Sequence, residues 1–530
     1  MKRSIANNEA PESAPLSWAA VFNPLPWPLP ATSPIWPTPL GLDDTWRWAS
    51  FAAPIFTATH APAELIQVLA RQRCEQMIAF ARKHSRFYAR HLRHLPANAR
   101  LEDLPRISRP ELMANFDHWV TDPAITRDAV QAFLANPDHR GEPFLDRFAV
   151  WTSSGTTGVP GVYVSDPDAL AVYEALLTMR ASGAGGAQSL WSALLSGGRL
   201  AMIAALDGHF AGIVSWERMR RLHPWLLTRS RAFRVTSPTS ELVAELNDWQ
   251  PTLLSSYPSM LSVLGDELVA GRLRIRPRAL WSGGEELAAV ERERLAQRFS
   301  CPVFEEYGAS ECMSIAFSCR AGSLHLNADW VILEPIDERG RLLPPGVASA
   351  GTLLTNLANR VQPLIRYELG DSITLLPGRC GCGCSLPRLR VEGRHDDLLR
   401  LESRRGQTVT IVPLAIESIV EDQAGVHQFQ LSQISHDTLR IRLAASNPSD
   451  RRQAWHRVRE CLQSFLRNQG AGSTRIELDP LEPQANPVSG KLIRVRGLKD
   501  LPPSARRSRQ PVSVSHAGPR VTARQRAHYH

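Results

Sequence analysis

Apolar residues recur at helical spacing in the first third of the chain. Between Pro62 and His94, leucine, isoleucine, valine and phenylalanine fall three and four positions apart, which predicts amphipathic helix. Asp166–Gly183 has the same character. Residues 1–60 are rich in proline and tryptophan and lack this spacing. We therefore expect an irregular lead-in there that packs on the body through its aromatic rings.

From about residue 200 onward, short apolar runs alternate with helical stretches. The runs that predict strands are Leu200–Ala204, Leu253–Ser255, Ala279–Trp281, Val303–Glu305 and Gly351–Thr355. Helical spacing is found at Ser259–Ala270 and Glu285–Phe299. Such alternation is typical of an α/β fold with a parallel sheet, because each parallel strand needs a crossover to return to the same edge.

The character of the chain changes near residues 391–400. Beyond it lie a helical pattern at Pro413–Gln423, a strand-like Thr438–Leu443, a helix at 450–469 and a strand at Thr474–Leu478. This mixture predicts a small α+β unit. The resulting division is a lead-in (1–60), a large domain (61–394), a small C-terminal domain (395–500) and a basic tail (501–530) that we expect to be disordered.

The net charge of +9 comes mostly from the tail. Residues 501–530 contain six arginines and no acidic residue, which leaves 55 basic and 52 acidic residues in the rest. Nucleic-acid binding is therefore a weak alternative, because the body carries no basic stripe. Only four of the 61 basic residues are lysines, so a lysine in a chemically sensible place is conspicuous.

Membrane and secretory features are missing from the sequence. It contains no run of about 18 apolar residues. Polar Asn7, Asn8 and Glu9 stand where a signal peptide would be apolar. The eight cysteines, three of them clustered, do not resemble a secreted disulfide framework. We expect a cytoplasmic protein without a membrane span.

A loop rich in glycine and hydroxyl groups follows the predicted strand Phe148–Trp151. It reads Ser153-Ser154-Gly155-Thr156-Thr157-Gly158, and a helix comes soon after it. Such a loop can direct backbone N–H groups and hydroxyls at phosphate oxygens. It is not a Walker loop, since no Gly-Lys-Ser/Thr follows. By composition alone, an ordinary surface turn is equally consistent.

Three more motifs follow in a fixed order. Ser282-Gly283-Gly284-Glu285 follows a predicted strand and is expected to open a helix. Glu305–Glu311 combines a tyrosine, a glycine, a hydroxyl and a carboxylate, and Arg366–Asp371 ends in an acidic residue suited to ribose hydroxyls. Each motif alone is more often a turn or a helix start, so the information lies in the ordered set.

Together these motifs resemble the adenylate-forming superfamily, and within it the phenylacetate–CoA ligase-like branch, over about residues 60–500. The resemblance implies a large N-terminal domain of packed α/β subdomains with a small β-barrel-like part, followed by a small, mobile α+β domain. It also implies that ATP and Mg²⁺ activate a carboxylic acid, usually aromatic, as an acyl-adenylate. The acyl group would then pass to a thiol of coenzyme A or of carrier-protein phosphopantetheine.

The resemblance further implies a nucleotide site drawn from all four motifs. The residues expected to grip the β- and γ-phosphates are Ser153, Ser154, Gly155, Thr156, Thr157 and Gly158. Those expected to line the adenine are Ser282, Gly283, Gly284 and Glu285, with Tyr307 stacked on the ring.

The sugar and the reacting phosphate have their own implied residues. Gly308 would belong to the nucleotide-binding set, Ser310 and Glu311 would lie near the α-phosphate and Mg²⁺, and Glu311 would be the metal carboxylate. Asp371 would bind the ribose hydroxyls, and Arg394 would contact ribose or phosphate where the hinge begins.

Lys491 lies in Asn486–Leu492, near the end of the small domain. Most lysines are solvated surface residues. A carboxylate that attacks a polyanionic phosphate nevertheless calls for a mobile point charge. The resemblance gives Lys491 that role, in contact with the α-phosphate and the carboxylate, and makes Asp396 the hinge about which the small domain turns.

Cys380, Cys382 and Cys384 fall within one tight turn, with Cys319 and His325 upstream. Three cysteines and one histidine make an ordinary tetrahedral zinc set. The resemblance matches Cys319, His325, Cys380 and Cys382 to a structural zinc site, and Cys384 could replace one ligand. Reduced loop cysteines without a metal are the alternative.

The chain departs from the branch in two places. Where relatives carry a lysine in or after the phosphate loop, Val159 and Gly161 stand here, so phosphate grip would fall to backbone, hydroxyls and arginine. The segment Leu401–Pro413 is basic where relatives flank the pantetheine tunnel. Its Arg404 and Arg405 would suit an acidic carrier protein, although a solvated loop is the more common explanation of two arginines. Transfer to an amine or alcohol stays open, as does a catalytically degenerate homologue that binds nucleotide or acyl ligand.

The acyl pocket is expected near Ala204–Phe210, Tyr257 and Ala309, by their position relative to the motifs. His209 lies in the first of these segments, and a lone histidine of this kind is more often a structural residue than a catalytic base.

Overall fold

The computed structural model of the protein describes residues 42–153, 161–181, 198–392, 398–403, 406–444, 447–484 and 494–498. The chain divides into two units, Met1–Asp43 and Asp44–His530. The sites described below all belong to the second unit.

Helices dominate the described chain up to residue 134. They are α1 (Leu42–Thr59), α2 (Ala63–His84), α3 (Arg86–His91), α4 (Arg109–Ala114), α5 (Phe116–Trp119) and α6 (Arg127–Leu134), with 3₁₀ turns at Leu101–Asp103 and Pro137–His139. The amphipathic helix predicted for 62–94 is present, but Ser85 divides it: its side chain accepts from the Tyr88 N–H and so begins α3.

Helix α1 corrects the expectation of an irregular lead-in up to residue 60. Prolines crowd the sequence as far as Pro39, and none occurs between Leu42 and Ala53, so the backbone can hydrogen-bond as a helix there. Phe51 and Ile55 are buried, and the Phe51 ring meets Trp330 edge-on with centroids 5.8 Å apart. Trp46 on the same helix is 76% exposed. The expected packing of aromatic rings on the body is therefore observed for Phe51 but not for Trp46.

The first fourteen strands build the body of the protein. They are β1 (Ala149–Thr152), β2 (Val162–Ser165), β3 (Leu200–Ala204), β4 (Ser230–Arg234), β5 (Leu253–Ser256), β6 (Ala279–Gly283), β7 (Val303–Ala309), β8 (Cys312–Ser318), β9 (Leu324–Leu326), β10 (Val331–Ile336), β11 (Gly351–Asn356), β12 (Leu364–Glu368), β13 (Ser372–Leu376) and β14 (Arg388–Glu392). The accompanying helices are α7 (Pro167–Ala181), α8 (Ala211–Leu222), α9 (Thr239–Trp249), α10 (Pro258–Val269) and α11 (Ala289–Phe299), with a 3₁₀ turn at Pro224–Leu226.

A nine-stranded sheet runs β13-β14-β9-β8-β7-β6-β5-β3-β4. The half from β4 to β7 is parallel, and β8, β9, β14 and β13 continue it antiparallel. The predicted parallel α/β body is thereby confirmed. Its core includes Leu242, Leu254, Leu264 and Leu280, all fully buried. Apolar runs in the parallel strands fit a sheet that is covered on both faces.

Two smaller sheets complete the body. Strands β1 and β2 pair as an antiparallel ribbon, and β10, β11 and β12 form an antiparallel sheet. The expected β-barrel-like part is wrong for the described residues, where these strands do not close. The outer edge of β12 instead meets the segment at Ile107, through a single bridge between Ile107 and Tyr367.

The C-terminal part has its own sheet. Its elements are β15 (Leu399–Glu402), β16 (Thr408–Ile411), α12 (Pro413–Ser418), β17 (Phe429–Ser435), β18 (Thr438–Leu443), α13 (Pro448–Asn468), β19 (Arg475–Leu478) and β20 (Val495–Arg496), with a π-helical turn at Ile419–Gln423. The order β19-β18-β17-β20, with α13 packed beside it, is the α+β pattern expected from sequence. No helix in the described ranges is both long and apolar enough to cross a bilayer.

Candidate active site

Three of the predicted segments end at one edge of the parallel sheet. Gly284 and Glu285 follow β6, Ser310 and Glu311 follow β7, and Tyr257 follows β5. Because these strands are parallel, their carboxyl ends lie side by side. Ligands of open α/β sheets bind at this edge. Segments far apart in sequence thus converge where a ligand is expected.

The order in which strands are added to the sheet reverses at β3. The next strand, β4, lies on one side of β3, whereas β5 and then β6 and β7 lie on the other side. The Ala205 N–H, just after β3, donates to Tyr257 Oη at 3.5 Å. Gly284 faces the same tyrosine with φ +81°, and a Cβ there would lie 2.9 Å from the Tyr257 ring. Glycine is therefore required at 284 on both counts. These contacts lie at the expected acyl pocket, at the point where crevices form in such sheets.

His209, in the same region, has its backbone engaged as well as its ring. Nε2 lies 3.0 Å from Asn136 O, and the backbone oxygen accepts from the Thr152 N–H at 2.8 Å. Burial lowers the pKa of the imidazole. These contacts fit the structural role expected for this residue.

Residues 282–285 differ from the expectation in one respect. They do not open a helix: Ser282 and Gly283 still pair with β7, and α11 begins only at Ala289. Glu285 instead accepts from Ser259 N at 3.0 Å and from Ser259 Oγ at 2.9 Å, at the amino end of α10. Burial raises the pKa of Glu285 to about 7. Glu285 therefore binds the first turn of α10 through these hydrogen bonds.

Ser282 is fully buried at the centre of the same edge. Its Oγ has no hydrogen-bond partner among the described residues. Its backbone pairs with Ser256 on one side and Glu305 on the other.

Tyr307 and Asp371 are direct neighbours. Tyr307 Oη donates to Asp371 Oδ2 at 2.8 Å, and Thr352 Oγ1 donates to Asp371 O at 2.6 Å. Burial and the adjacent carboxylate raise the pKa of Tyr307 well above its usual value, so the hydroxyl keeps its proton and donates. The residues predicted for adenine and for ribose are brought together.

Gly308 permits the tight approach of β7 and β8. A Cβ at this position would lie 2.0 Å from Met313 O, which is closer than two non-bonded atoms can approach. The register between β7 and β8 shifts between Tyr307 and Ala309. No side chain larger than hydrogen fits here, and this steric reason alone accounts for the glycine.

The turn Ser310–Glu311 is tied to the strand that leads into the phosphate loop. Trp151 Nε1 donates to Ser310 O at 2.8 Å, and Asn356 Nδ2 donates to Glu311 O at 3.1 Å. Ser153 N donates to Gly161 O, and Gly161 N donates to Ser153 Oγ, both at 2.9 Å. Ser153 therefore fastens the two ends of the loop together.

Glu311 is buried and accepts three hydrogen bonds on one oxygen. Arg109 Nη2, Tyr163 Oη and Tyr367 Oη each lie 2.7 Å from Glu311 Oε1. Arg109 Nε also donates to Tyr367 Oη at 3.1 Å. Burial, and then the charge of Glu311, raise the pKa values of both tyrosines. Burial alone would lower the pKa of Arg109, but the Glu311 carboxylate holds it above its ordinary value.

Sequence analysis did not identify Arg109, Tyr163 or Tyr367. Tyr367 lies inside the Arg366–Asp371 motif, and Tyr163 stands five residues after Gly158, the last residue of the phosphate loop, so both could have been considered from their positions. Arg109 is 202 residues from Glu311 and offered none.

Four predicted metal ligands converge at the antiparallel end of the large sheet. The ligand atoms of Cys319, His325, Cys380 and Cys382 all lie within 4.8 Å of one another. Cys319 Sγ is 3.7 Å from Cys380 Sγ, and Cys382 Sγ is 3.4 Å from His325 Nε2. Cys384 Sγ instead lies 3.7 Å from Thr59 O. The structure thus brings together the four residues named by the resemblance, and Cys384, which also interacts with the His325 side chain, lies outside this group of four.

The imidazole of His325 sets the electrostatics of this cluster. Its Nδ1 lies 2.8 Å from Leu386 O, which turns Nε2 toward the thiols. Burial opposes ionisation of Cys319, yet hydrogen bonds, first that of His325, lower the pKa of its thiol to about 6. A thiolate is the form that binds metal. His325 on β9 also pairs with Phe317 on β8, which pairs with Glu306 on β7.

Several predicted residues lie outside the described part of the chain. They are Ser154, Gly155, Thr156, Thr157, Gly158, Arg394, Asp396 and Lys491, and also Arg404, Arg405 and the tail 501–530. Their roles stay predictions.

No family model matches the chain. It is 26% identical to protein CapK of Staphylococcus aureus over 216 residues, which are 39% of this chain and 45% of that protein. It is 30% identical to phenylacetate-coenzyme A ligase of Pseudomonas putida over 198 residues, which are 34% of this chain and 42% of that protein. The chain thus spans just under half the length of the curated relatives it matches.

Among solved structures, 2-hydroxyisobutyryl-CoA ligase in complex with 2-HIB-AMP and CoA matches with a TM-score of 0.50 and 21% identity. The match covers 83% of this chain and 91% of that one, and it shows the same fold. The chain thus shares the fold of this ligase, and part of its length is similar in sequence to phenylacetate-coenzyme A ligase.

Proposed function

We propose that this protein uses ATP and Mg²⁺ to convert a carboxylic acid, aromatic by preference, into an acyl-adenylate, and then transfers the acyl group to a thiol. The observation that carries the proposal is the contact of Tyr307 with Asp371 beside Glu311, at the carboxyl edge of the parallel sheet. The relative named phenylacetate-coenzyme A ligase supports it.

The nucleotide would lie along this edge. Tyr307 and the 282–285 turn would hold adenine, Asp371 and Arg394 the ribose, and the loop 153–158 the β- and γ-phosphates. The tie between Ser153 and Gly161 supports the last assignment, because it fixes the loop ends beside the Ser310–Glu311 turn. Gly308 would act by keeping β7 and β8 close.

Glu311 suits Mg²⁺, because hard cations prefer carboxylate oxygens and this carboxylate is held in place. Bound Mg²⁺ would neutralise charge on the nucleotide phosphates. Glu311 would hold the ion, and Ser310 would lie beside the α-phosphate.

In the first step a carboxylate oxygen attacks the α-phosphorus and pyrophosphate leaves. Lys491 would stabilise the charge that develops on the phosphate. In the second step the thiol attacks the acyl carbonyl and AMP leaves. Rotation of the small domain about Asp396 would withdraw Lys491 between the steps. The Gln469 Nε2 bond to Thr236 O, 2.8 Å, is a contact that such a rotation would break.

Zinc is the cofactor that we propose for the cysteine cluster. The close approach of three sulfurs and His325 Nε2, and the lowered pKa of Cys319, support a tetrahedral structural site. This metal would stabilise the loop before the hinge and take no part in the reaction. None of the eight cysteines forms a disulfide in this structure, and we propose a reducing, cytoplasmic location.

The acceptor would be coenzyme A or the phosphopantetheine of a carrier protein. Acyl transfer to each, measured side by side with the same acyl-adenylate, separates them. Transfer to an amine or alcohol only would leave adenylation intact and correct the acceptor.

Carboxylate-dependent exchange between ATP and labelled pyrophosphate tests the core of the proposal. We expect exchange with at least one aromatic acid from a broad panel. Absence of exchange across the panel would overturn the proposal and favour a degenerate homologue that binds ligand without turnover.

A further inference from the structure

The hydrogen bonds described for the Glu311 carboxylate all end on Oε1. Their donors come from three separate parts of the chain: the start of α4, strand β2 and strand β12. A carboxylate fixed through one oxygen cannot rotate freely, so its second oxygen, Oε2, has a defined direction.

The backbone before Arg109 is fastened to β12. Arg366 Nη1 donates to Glu102 O at 2.8 Å and to Leu104 O at 2.5 Å. Ile107 N donates to Arg366 O at 3.1 Å, and Glu368 N donates to Ile107 O at 2.9 Å. Arg366 is itself paired with buried Glu334.

These hydrogen bonds fix the backbone just before Arg109 relative to β12. Two residues beyond Ile107, the Arg109 side chain turns toward Glu311. The side chains of Arg109 and Glu311 are only 11% and 4% exposed, so their ion pair is largely shielded from water. In such surroundings, loss of one partner leaves the other as an uncompensated charge.

We infer that Arg109, together with Tyr163 and Tyr367, is a positioning residue that anchors Glu311 through Oε1 so that Oε2 faces the metal of bound MgATP. The inference rests on the proposed function, since it takes Glu311 as the metal carboxylate. Residues that hydrogen-bond to a metal ligand orient that ligand and raise the affinity for the metal, although they do not contact the ion themselves.

The test uses Mn²⁺ as a paramagnetic probe, bound to the full chain in the presence of ATP and followed by electron paramagnetic resonance. We expect Arg109→Met to weaken Mn²⁺ binding about 10- to 100-fold, the range usual for loss of a group behind a metal ligand. Arg109→Lys, which keeps the charge, should recover most of the loss. ATP binding measured by calorimetry in EDTA should change less than about twofold in either variant.

Arg218→Met is the matched control. The Arg218 side chain is 10% exposed and paired with Glu174, so it resembles Arg109 in burial but lies elsewhere. We expect unchanged Mn²⁺ binding in that variant. Tyr163→Phe serves if Arg109→Met proves unstable to heat: it removes one donor to Oε1 and should weaken Mn²⁺ binding severalfold.

Two results would overturn the role of Arg109. One is unchanged Mn²⁺ binding in Arg109→Met, or in Tyr163→Phe where the arginine variant does not fold. The other is an equal loss of metal-free ATP binding, which would mean that Arg109 grips phosphate directly. If the unaltered chain binds no ATP, the proposed function itself fails, and that result is seen before any variant is compared.

Discussion

The hydroxyl of Tyr307 donates to the Asp371 carboxylate at 2.8 Å, although the two residues are 64 positions apart. The bond fixes the Asp371 carboxylate, while Thr352 fixes its backbone. The side chain predicted to contact adenine is thus hydrogen-bonded to the side chain predicted to contact ribose.

We expect Tyr307→Phe to raise the KM for ATP about tenfold, with a smaller change in kcat. The ring that would stack on adenine remains, but the donor that orients Asp371 is lost, and a hydrogen bond to a charged group contributes about 1.5–3 kcal/mol. Steady-state kinetics of carboxylate-dependent pyrophosphate release provide the measurement. An unaltered KM would show that Asp371 does not depend on Tyr307.

Lys491→Ala should lower the adenylation rate about 100-fold or more and leave the fold intact, because the charge that we propose to stabilise the transition state would be removed. Carboxylate-dependent pyrophosphate release measures the effect. Lys83→Ala, an exposed lysine in the last turn of α2, is the control and should match the unaltered protein. Normal release from Lys491→Ala would rule out this role.

Substitution of Cys382 or of Cys384 by serine tests which cysteines of the cluster bind zinc. We expect Cys382→Ser to lose bound zinc and lower the Tm, because its sulfur faces His325 at 3.4 Å. Cys384→Ser should keep the metal, because its sulfur is not one of the four mutually close ligand atoms and lies near Thr59 O. Elemental analysis of purified protein gives the stoichiometry. Less than about half an equivalent of zinc in the unaltered chain would argue against a four-ligand structural site.

Glu285 predicts a pH dependence of stability. Its pKa is about 7 in the folded chain against an ordinary value of 4.5, so the folded state holds the proton to higher pH. Its contribution to stability is therefore greatest below pH 4.5 and is lost as the pH rises toward and through 7. Glu285→Gln should flatten the decline in Tm between pH 5 and 7, since an amide can still accept from the Ser259 N–H. Equal declines in both proteins would contradict the assignment.

Local pattern predicted β3, β5, β6 and β7, because these strands contain short apolar runs. It missed β4, whose Ser-Arg-Ala-Phe-Arg sequence is not an apolar run. The start of α11 was misplaced because Glu285 binds Ser259, a tertiary contact that periodicity does not encode. Arg109 could not be predicted at all, since its value depends on where Arg366 fastens the chain to β12.

The register from Glu306 through Phe317 to His325 means that β8 cannot change length by a single residue without two penalties. An added or deleted residue would turn every following side chain to the opposite face. The same slip would displace the nucleotide edge on one side of β8 and the metal cluster on the other. Because Glu311 and Cys319 directly flank β8, the length of this strand fixes the spacing between the candidate nucleotide edge and the cysteine cluster.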